Sequence, residues 1–253
     1  MAIPKLHVRK LKTRKHYKRG YPVAILAGLE EKNAVLWKVF SRVAKHEKTL
    51  HINGPRNNPK ELYNFHESIL NALRPTIQEG VRSVILASPV RTHYHQEFIN
   101  HVYEHHKWLT KGPYKTVFSE IIGKASTPSL VASLTRTPTF RQIVNKTTGE
   151  ETENLIEILE KSIVNTDNTS LVLFSLQEAE NLILKRQKPN DPKPEFLMLT
   201  NIYLSNSHQK NRLHRLMQIA ANKKVKTRII RAESPAGKRL TQLGGMVCLA
   251  KHG

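Results

Sequence analysis

The stretch VRSVILASP, residues 81–89, is a continuous apolar run of strand length that closes on a proline. It is followed by VRTHYHQEFINHVYEHH, residues 90–106. A short run rich in Val and Ile with turn residues at its end reads as a buried strand. Behind it Phe98, Val102 and Tyr103 recur at helical spacing, with Ser88 available as a capping residue. A buried strand leading into an amphipathic helix is the unit of an α/β layer.

Upstream, YPVAILAGL (21–29) reads as a second buried strand with a Gly exit. NAVLWKVFSRV (33–43) alternates on a period of two and reads as one or two more strands. HINGPRNNPK (51–60) is dense in Asn, Pro and Gly and reads as a loop. Leu62, Phe65, Ile69, Leu70 and Leu73 then recur at helical spacing between Pro59 and Gly80, a start and a stop signal. Downstream, Pro128–Val131 and Thr137–Phe140 read as boundary regions, rich in Thr, Ser and Pro. A second unit begins near Glu150 with a helix lined by Leu155, Ile158, Leu159 and Ile163. Strands are predicted at 170–175, 196–204, 225–233 and 244–251. Helices are predicted at 176–186, 211–222 and 234–243, and the segment 188–195 is a Pro-broken loop. The expected fold class is α/β, with two α/β/α domains at 21–148 and 149–253 behind an arm at 1–20.

That arm is one-sided. Lys5, Arg9, Lys10, Lys12, Arg14, Lys15, Lys18 and Arg19 precede the first acidic residue, Glu30. Such a run repels itself and needs an anionic partner, or else remains a solvated tail. The whole chain has 41 Lys+Arg against 20 Asp+Glu, a net charge of +21, so the excess continues into the folded part and favours phosphate. Each basic side chain that meets a phosphate releases counterions, and Tyr17 and His16 interleave a surface on which RNA bases can stack. Arg56, Asn57 and Lys60 in the 51–60 loop, with Arg91 near the next helix start, form an expected second contact. These contacts position a protein without reading sequence.

Other classes of chemistry lack support. No apolar run approaches the ~20 residues of a membrane helix, and the basic N-terminus has no apolar region of a signal peptide behind it. A single cysteine, Cys248, rules out an internal disulfide and fits a reducing, cytoplasmic setting. His93, His95, His101, His105 and His106 bunch together, and His101 and His105 can share a helix face. Without Cys or an H-E-x-x-H motif they read as a solvated or RNA-facing helix end, so no metal and no cofactor is expected. Ser88 follows a strand, but no G-x-S-x-G elbow surrounds it, and it reads as a helix cap. Gly244 and Gly245 belong to no phosphate-binding loop and are expected to permit the turn into the last strand. No catalytic residue is assigned.

Several stretches carry a resemblance. LVLFSLQEAENLI (171–183), FLMLTNIYL (196–204) and above all SPAGKRLTQLGGMVCL (234–249) resemble the C-terminal domain shared by pelota and the class-one release factors of archaea and eukaryotes. YPVAILAGLEEKNAVLW (21–37) and RSVILASP (82–89) are similar to the middle domain of that family, and SLTRTPTFRQIV (133–144) to the segment joining the two. The resemblance covers roughly residues 20–253. It implies an RNase-H-like middle domain and a C-terminal domain like that of a ribosomal RNA-binding protein superfamily.

Two departures shape the expectation. The family's codon-reading N-terminal domain is replaced by the basic arm, so the chain is expected to act without reading a codon. The loop that carries Gly-Gly-Gln in release factors corresponds to His51–Lys60, which has Gly54, Pro55, Arg56, Asn57, Asn58 and Lys60 but no Gln. The resemblance therefore implies a non-catalytic, monomeric, rRNA-binding factor on the large ribosomal subunit, near the tRNA acceptor end. Its role would lie in rescue, quality control, recycling or dormancy, and its partners would be a translational GTPase or a ribosome-splitting ATPase. A codon-independent peptidyl-tRNA hydrolase and a binder of another structured RNA are the alternatives. The high charge and the family suggest an archaeal origin.

Overall fold

The computed structural model describes residues 21–40, 43–112, 115–164, 170–185 and 190–252. The chain opens with three antiparallel strands, β1 (Ala24–Leu29), β2 (Asn33–Val39) and β3 (Ala44–His51). Helix α1 (Pro59–Gln78) leads to β4 (Ser83–Ser88), which pairs parallel to β1. Helices α2 (Tyr94–His105) and α3 (Lys107–Thr110) precede β5 (Val117–Ile122), parallel to β4, and α4 (Pro128–Arg136) and α5 (Pro138–Val164) follow. The sheet order is β3-β2-β1-β4-β5.

Alternation along the strands decides which helix covers which face. Ile25, Ala27, Leu36, Val84 and Leu86 meet Phe65, Ile69 and Leu73 of α1 and Phe98 and Val102 of α2. Leu26, Val35, Trp37, Ile85 and Ala87 face the other way, onto Val131 of α4 and Phe140 of α5. Helices on both faces of one sheet make the α/β/α layering expected from the sequence.

The second sheet comprises β6 (Ser170–Leu173), β7 (Lys193–Thr200), β8 (Lys226–Ile230) and β9 (Met246–Lys251), in the order β6-β9-β7-β8. Helices α6 (Leu176–Leu184) and α8 (Lys210–Asn222) cover one face through Ile183, Leu213, Leu216 and Met217. The short α7 (Asn201–Asn206) leads from β7 towards α8. On the opposite face lie α9 (Pro235–Gln242), with Ala236 and Leu240, and the C-terminal half of α5, with Leu155, Ile156 and Leu159.

Helix α5 thus serves both sheets. Its 27 residues span about 40 Å. The domain division expected between residues 148 and 149 falls inside it. Within the regions expected as boundaries, Pro128 and Pro138 begin α4 and α5. Each opens a helix behind a threonine whose hydroxyl accepts from the backbone: Thr127 from Leu130 at 3.3 Å and Thr137 from Phe140 at 3.2 Å. Proline is tolerated there because a first-turn N–H has no helical partner. Strand β5 was not predicted: only Val117 and Ile121 are buried in this edge strand, so its apolar signal is thin. The predicted strand 196–204 ends early, because the Thr200 side chain accepts from Tyr203 N–H at 3.1 Å and starts α7. Tyr103 is 59% exposed, off the buried face of α2.

One buried ion pair joins the two sheets. Arg228 of β8 donates from Nη2 to Glu151 Oε2 of α5 at 2.6 Å, and both residues are at most 3% exposed. The same guanidinium donates to the carbonyls of Pro22 and Val23 at 3.1 and 3.3 Å, just before β1. The Glu151 carboxylate also accepts from Ser83 Oγ and from Arg82 N–H at the start of β4. Burial pushes the Glu151 carboxyl up, and the Arg228 charge opposes that shift.

The motif at 234–249 has a steric reason. Ser234 caps α9 by accepting from Gly237 N–H at 3.1 Å. A Cβ on Gly237 would lie 1.8 Å from the Arg231 carbonyl oxygen, so only glycine lets α9 sit against the end of β8. Gly244 and Gly245 have φ of 97° and 82°, and Gly245 N–H donates to Leu240 O at 2.8 Å, closing α9 before β9.

Gly237→Ala is expected to lower stability by at least about 3 kcal/mol, because backbone is the obstacle, and urea denaturation will measure it. Arg228→Met is expected to cost about 3–5 kcal/mol by leaving the Glu151 charge buried alone. The double variant Arg228→Met/Glu151→Leu should recover part of that loss in the same assay.

Candidate nucleic-acid interface

The loop between β3 and α1 is held from within. Asn58 caps α1, its side chain accepting from Lys60 and Glu61 N–H at 3.0 and 3.4 Å. Arg56 turns inward: Nε and Nη2 donate to Glu97 Oε2 of α2 at 3.0 and 2.7 Å, and Nη1 donates to the Glu30 carbonyl at 3.1 Å. Its guanidinium also lies 4.0 Å from the centre of the Tyr94 ring. At 12% side-chain exposure, Arg56 is a strut between the loop and α2. Asn57 and Lys60 are exposed, as is Arg91, which adopts φ 61° in the turn between β4 and α2. Among the sequence-predicted contacts, Lys5, Arg9, Lys10, Lys12, Arg14, Lys15, Tyr17, Lys18 and Arg19 lie outside the described residues.

A larger basic feature lies elsewhere. A groove of about 1100 Å³ runs between the two sheets. Its walls come from the entry to β1 (Tyr21), the α4–α5 corner (Arg136, Arg141) and the second unit (Lys210, His214, Arg231). No Asp or Glu lines it among the described residues. Arg136, Arg141, Lys210 and Arg231 are all exposed, and no carboxylate pairs with any of them among the described residues. Arg228 also lines the groove but is spent on Glu151. Tyr21, the first described residue, stacks on His214 with 3° between the rings.

These four cations were missed by the sequence reading. A signal existed: no Asp or Glu occurs between Glu120 and Glu150, nor between Glu195 and Glu233. Only the packing of β8 and α8 beside the α4–α5 corner makes one surface of those two stretches.

The histidine-rich segment is not a solvated helix end. His101 and His106 are 7% and 8% exposed and both point at Glu67 of α1, while the His105 side chain is 37% exposed. Ser88 does not cap α2, which starts at Tyr94 with no side-chain cap. Its Oγ lies 2.6 Å from His95 Nδ1, and His95 Nε2 lies 2.9 Å from Glu120 Oε2. The order is that of a hydrolytic triad, but Ser88 is 1% exposed. The relay locks the β4–α2 turn to β5.

Neither a protein-family model nor a curated protein matches the sequence. Solved structures do match. A chain of a structure described as ribosome-bound archaeal Pelota and ABCE1 aligns with a TM-score of 0.53 at 14% identity, over 95% of this chain and 65% of that one. The fold is that of the middle and C-terminal domains of Pelota. Saccharomyces cerevisiae Dom34, described as a translation termination-like factor involved in RNA quality control pathways and interacting with Hbs1, aligns with a TM-score of 0.48. Its identity is 15%, over 91% of this chain and 63% of that one. The chain spans less than two thirds of the length of either structure.

On this Pelota-like frame the 52–58 loop depends on the Arg56–Glu97 strut. Glu97→Gln is expected to raise amide hydrogen exchange across residues 52–58 by about tenfold, since losing the charge-assisted bond costs about 1.5 kcal/mol locally. Exchange in β4 should stay unchanged in the same experiment.

Proposed function

We propose that this chain is an RNA-binding, ribosome-associated translation factor of the rescue or termination-like kind. It seats on the large subunit near the tRNA acceptor end and acts without reading a codon. The observation that carries this reading is the carboxylate-free groove. A chain of net charge +21 leaves four arginine and lysine side chains unpaired around one concave surface. Phosphate is the counter-charge such a surface suits. The Pelota-like fold supports a ribosomal partner over another RNA, because archaeal Pelota is itself ribosome-bound in the structure that shares it.

In this reading residues 1–20 are a basic anchor, residues 21–148 and 149–253 are the two domains, and the groove between them tracks an RNA backbone. Asn57, Lys60 and Arg91, exposed in the segments before α1 and α2, add contacts. Arg56 contributes by holding the loop rather than by meeting phosphate. A translational GTPase or a ribosome-splitting ATPase docks on the second domain, and the monomer works in the cytoplasm. Among the described residues no helix is long and apolar enough to cross a membrane.

The test is co-sedimentation with purified large subunits, small subunits and a small structured RNA across a salt series. Saturable binding to large subunits is expected. Arg136→Ala/Arg141→Ala/Arg231→Ala should make the log–log salt dependence shallower by about 2, from about 0.7 per lost phosphate contact on single-stranded RNA. Deleting residues 1–20 should weaken binding further. Absence of saturable large-subunit binding overturns the proposal, and preference for the small RNA would replace it with the structured-RNA reading.

A further inference from the structure

Glu67, His101 and His106 converge on one point from three directions. Glu67 lies midway along α1, His101 on the last turn of α2, and His106 in the corner between α2 and α3. Glu67 Oε1 is 3.0 Å from His101 Nε2 and 2.6 Å from His106 Nε2, and the three donor atoms lie within 4.8 Å of one another. Both imidazoles therefore present the same ring nitrogen to the same carboxylate oxygen. Side-chain exposures of 6% and 11% for the histidines and 27% for Glu67 leave the point dry on one side and reachable on the other.

A second observation lies against the cluster. His66 is 3% exposed, its ring centre is 5.0 Å from that of His101, and its Nε2 has no hydrogen-bond partner. A buried ring nitrogen without a partner is costly unless something absent from a purely hydrogen-bonded picture satisfies it. Tyr63 and His105 close the outer side, their rings 4.9 Å from His101.

Two imidazole nitrogens and one carboxylate oxygen form a borderline-soft donor set. Such a set suits Zn²⁺ at about 2.0–2.2 Å and leaves a fourth position for water. We propose that Glu67, His101 and His106 bind one Zn²⁺, and that the water completing its coordination is the partner of His66 Nε2. Tetrahedral donors at that bond length lie about 3.3 Å apart, so admitting the ion opens the 3.0 Å Glu67–His101 contact slightly and the 2.6 Å Glu67–His106 contact by more than half an ångström. The site then clamps α1 to the α2–α3 corner and stiffens the frame on which the 52–58 loop is carried. Spacing alone conceals it: His101 and His106 are five residues apart, and the backbone break at His106, φ −124° and ψ 55°, swings the second imidazole round to meet the first.

The experiment uses the full-length protein, stripped with a chelator and titrated with ZnCl₂ by calorimetry. One Zn²⁺ per chain is expected. Glu67→Gln and His106→Gln should each weaken binding at least about 100-fold, while His208→Ala, an exposed histidine outside the cluster, should leave it unchanged. Circular dichroism establishes that each variant is folded. Co²⁺ on the wild-type protein gives a readout independent of the variants: intense visible bands of a four-coordinate ion are expected. Weak multi-site binding that the cluster variants do not alter, or a six-coordinate Co²⁺ spectrum, overturns the proposal and leaves Glu67, His101 and His106 as a hydrogen-bonded cluster only.

Discussion

The relative placement of the two sheets rests on Arg228 and Glu151. Taking two charges out of water is expensive, and it is repaid only when each is matched by a partner and the leftover donors and acceptors are bonded. Here the matching groups come from four places, β8, α5, the start of β4 and the residues just before β1, while the buried Arg228 Nε has no partner among the described residues. Any other placement of the sheets would leave at least one of these charges or carbonyls buried without its mate. The pair is therefore better understood as specifying a geometry than as adding net stability.

That geometry is what creates the groove. The α4–α5 corner and the β8–α8 side each bring cations, but each is an ordinary charged surface when taken separately. Fixing α5 across both sheets brings them to one groove, which Arg136, Arg141, Lys210 and Arg231 all line. Like charges facing one another across a concave surface repel, by an amount that counter-ions or a polyanion relieve. The structure holds this repulsion in place with apolar packing, Leu155 and Leu159 on one sheet and Phe140 on the other. The backbone that carries these cations is thereby fixed, so that only their exposed side chains remain to be ordered by a counter-charge.

The first sheet shows the complementary economy. Polar side chains that look functional in isolation are used there as fasteners. Arg56 ties a loop to α2, and Ser88 and His95 tie a turn to β5. The Glu67 cluster links α1 to the α2–α3 corner. Partnering of this sort removes a residue from the solvent-facing interface as surely as mutation would, which is why the net charge of the chain overstates the charge any one surface can offer.

How much of this was legible beforehand follows from the range of the forces involved. Strands and helices whose apolar residues repeat cleanly, β1, β4, α1, α8 and β9 among them, were readable because periodicity is a local property set by which face is buried. So was the Gly244–Gly245 turn, since a positive φ needs no knowledge of distant contacts. Strand β5 was not readable, because a half-buried edge strand carries little apolar signal. The regions Pro128–Val131 and Thr137–Phe140 read as boundaries and hold helix starts, because helix starts and chain breaks use the same residues. The inward turn of Arg56 and the meeting of Glu67 with His101 and His106 depend on pairs 26 to 41 positions apart in the chain, and the groove cations on segments farther apart still. No local rule reports such pairs: the sequence supplied the charges and the donors, and only tertiary packing decided which of them face one another and which face water.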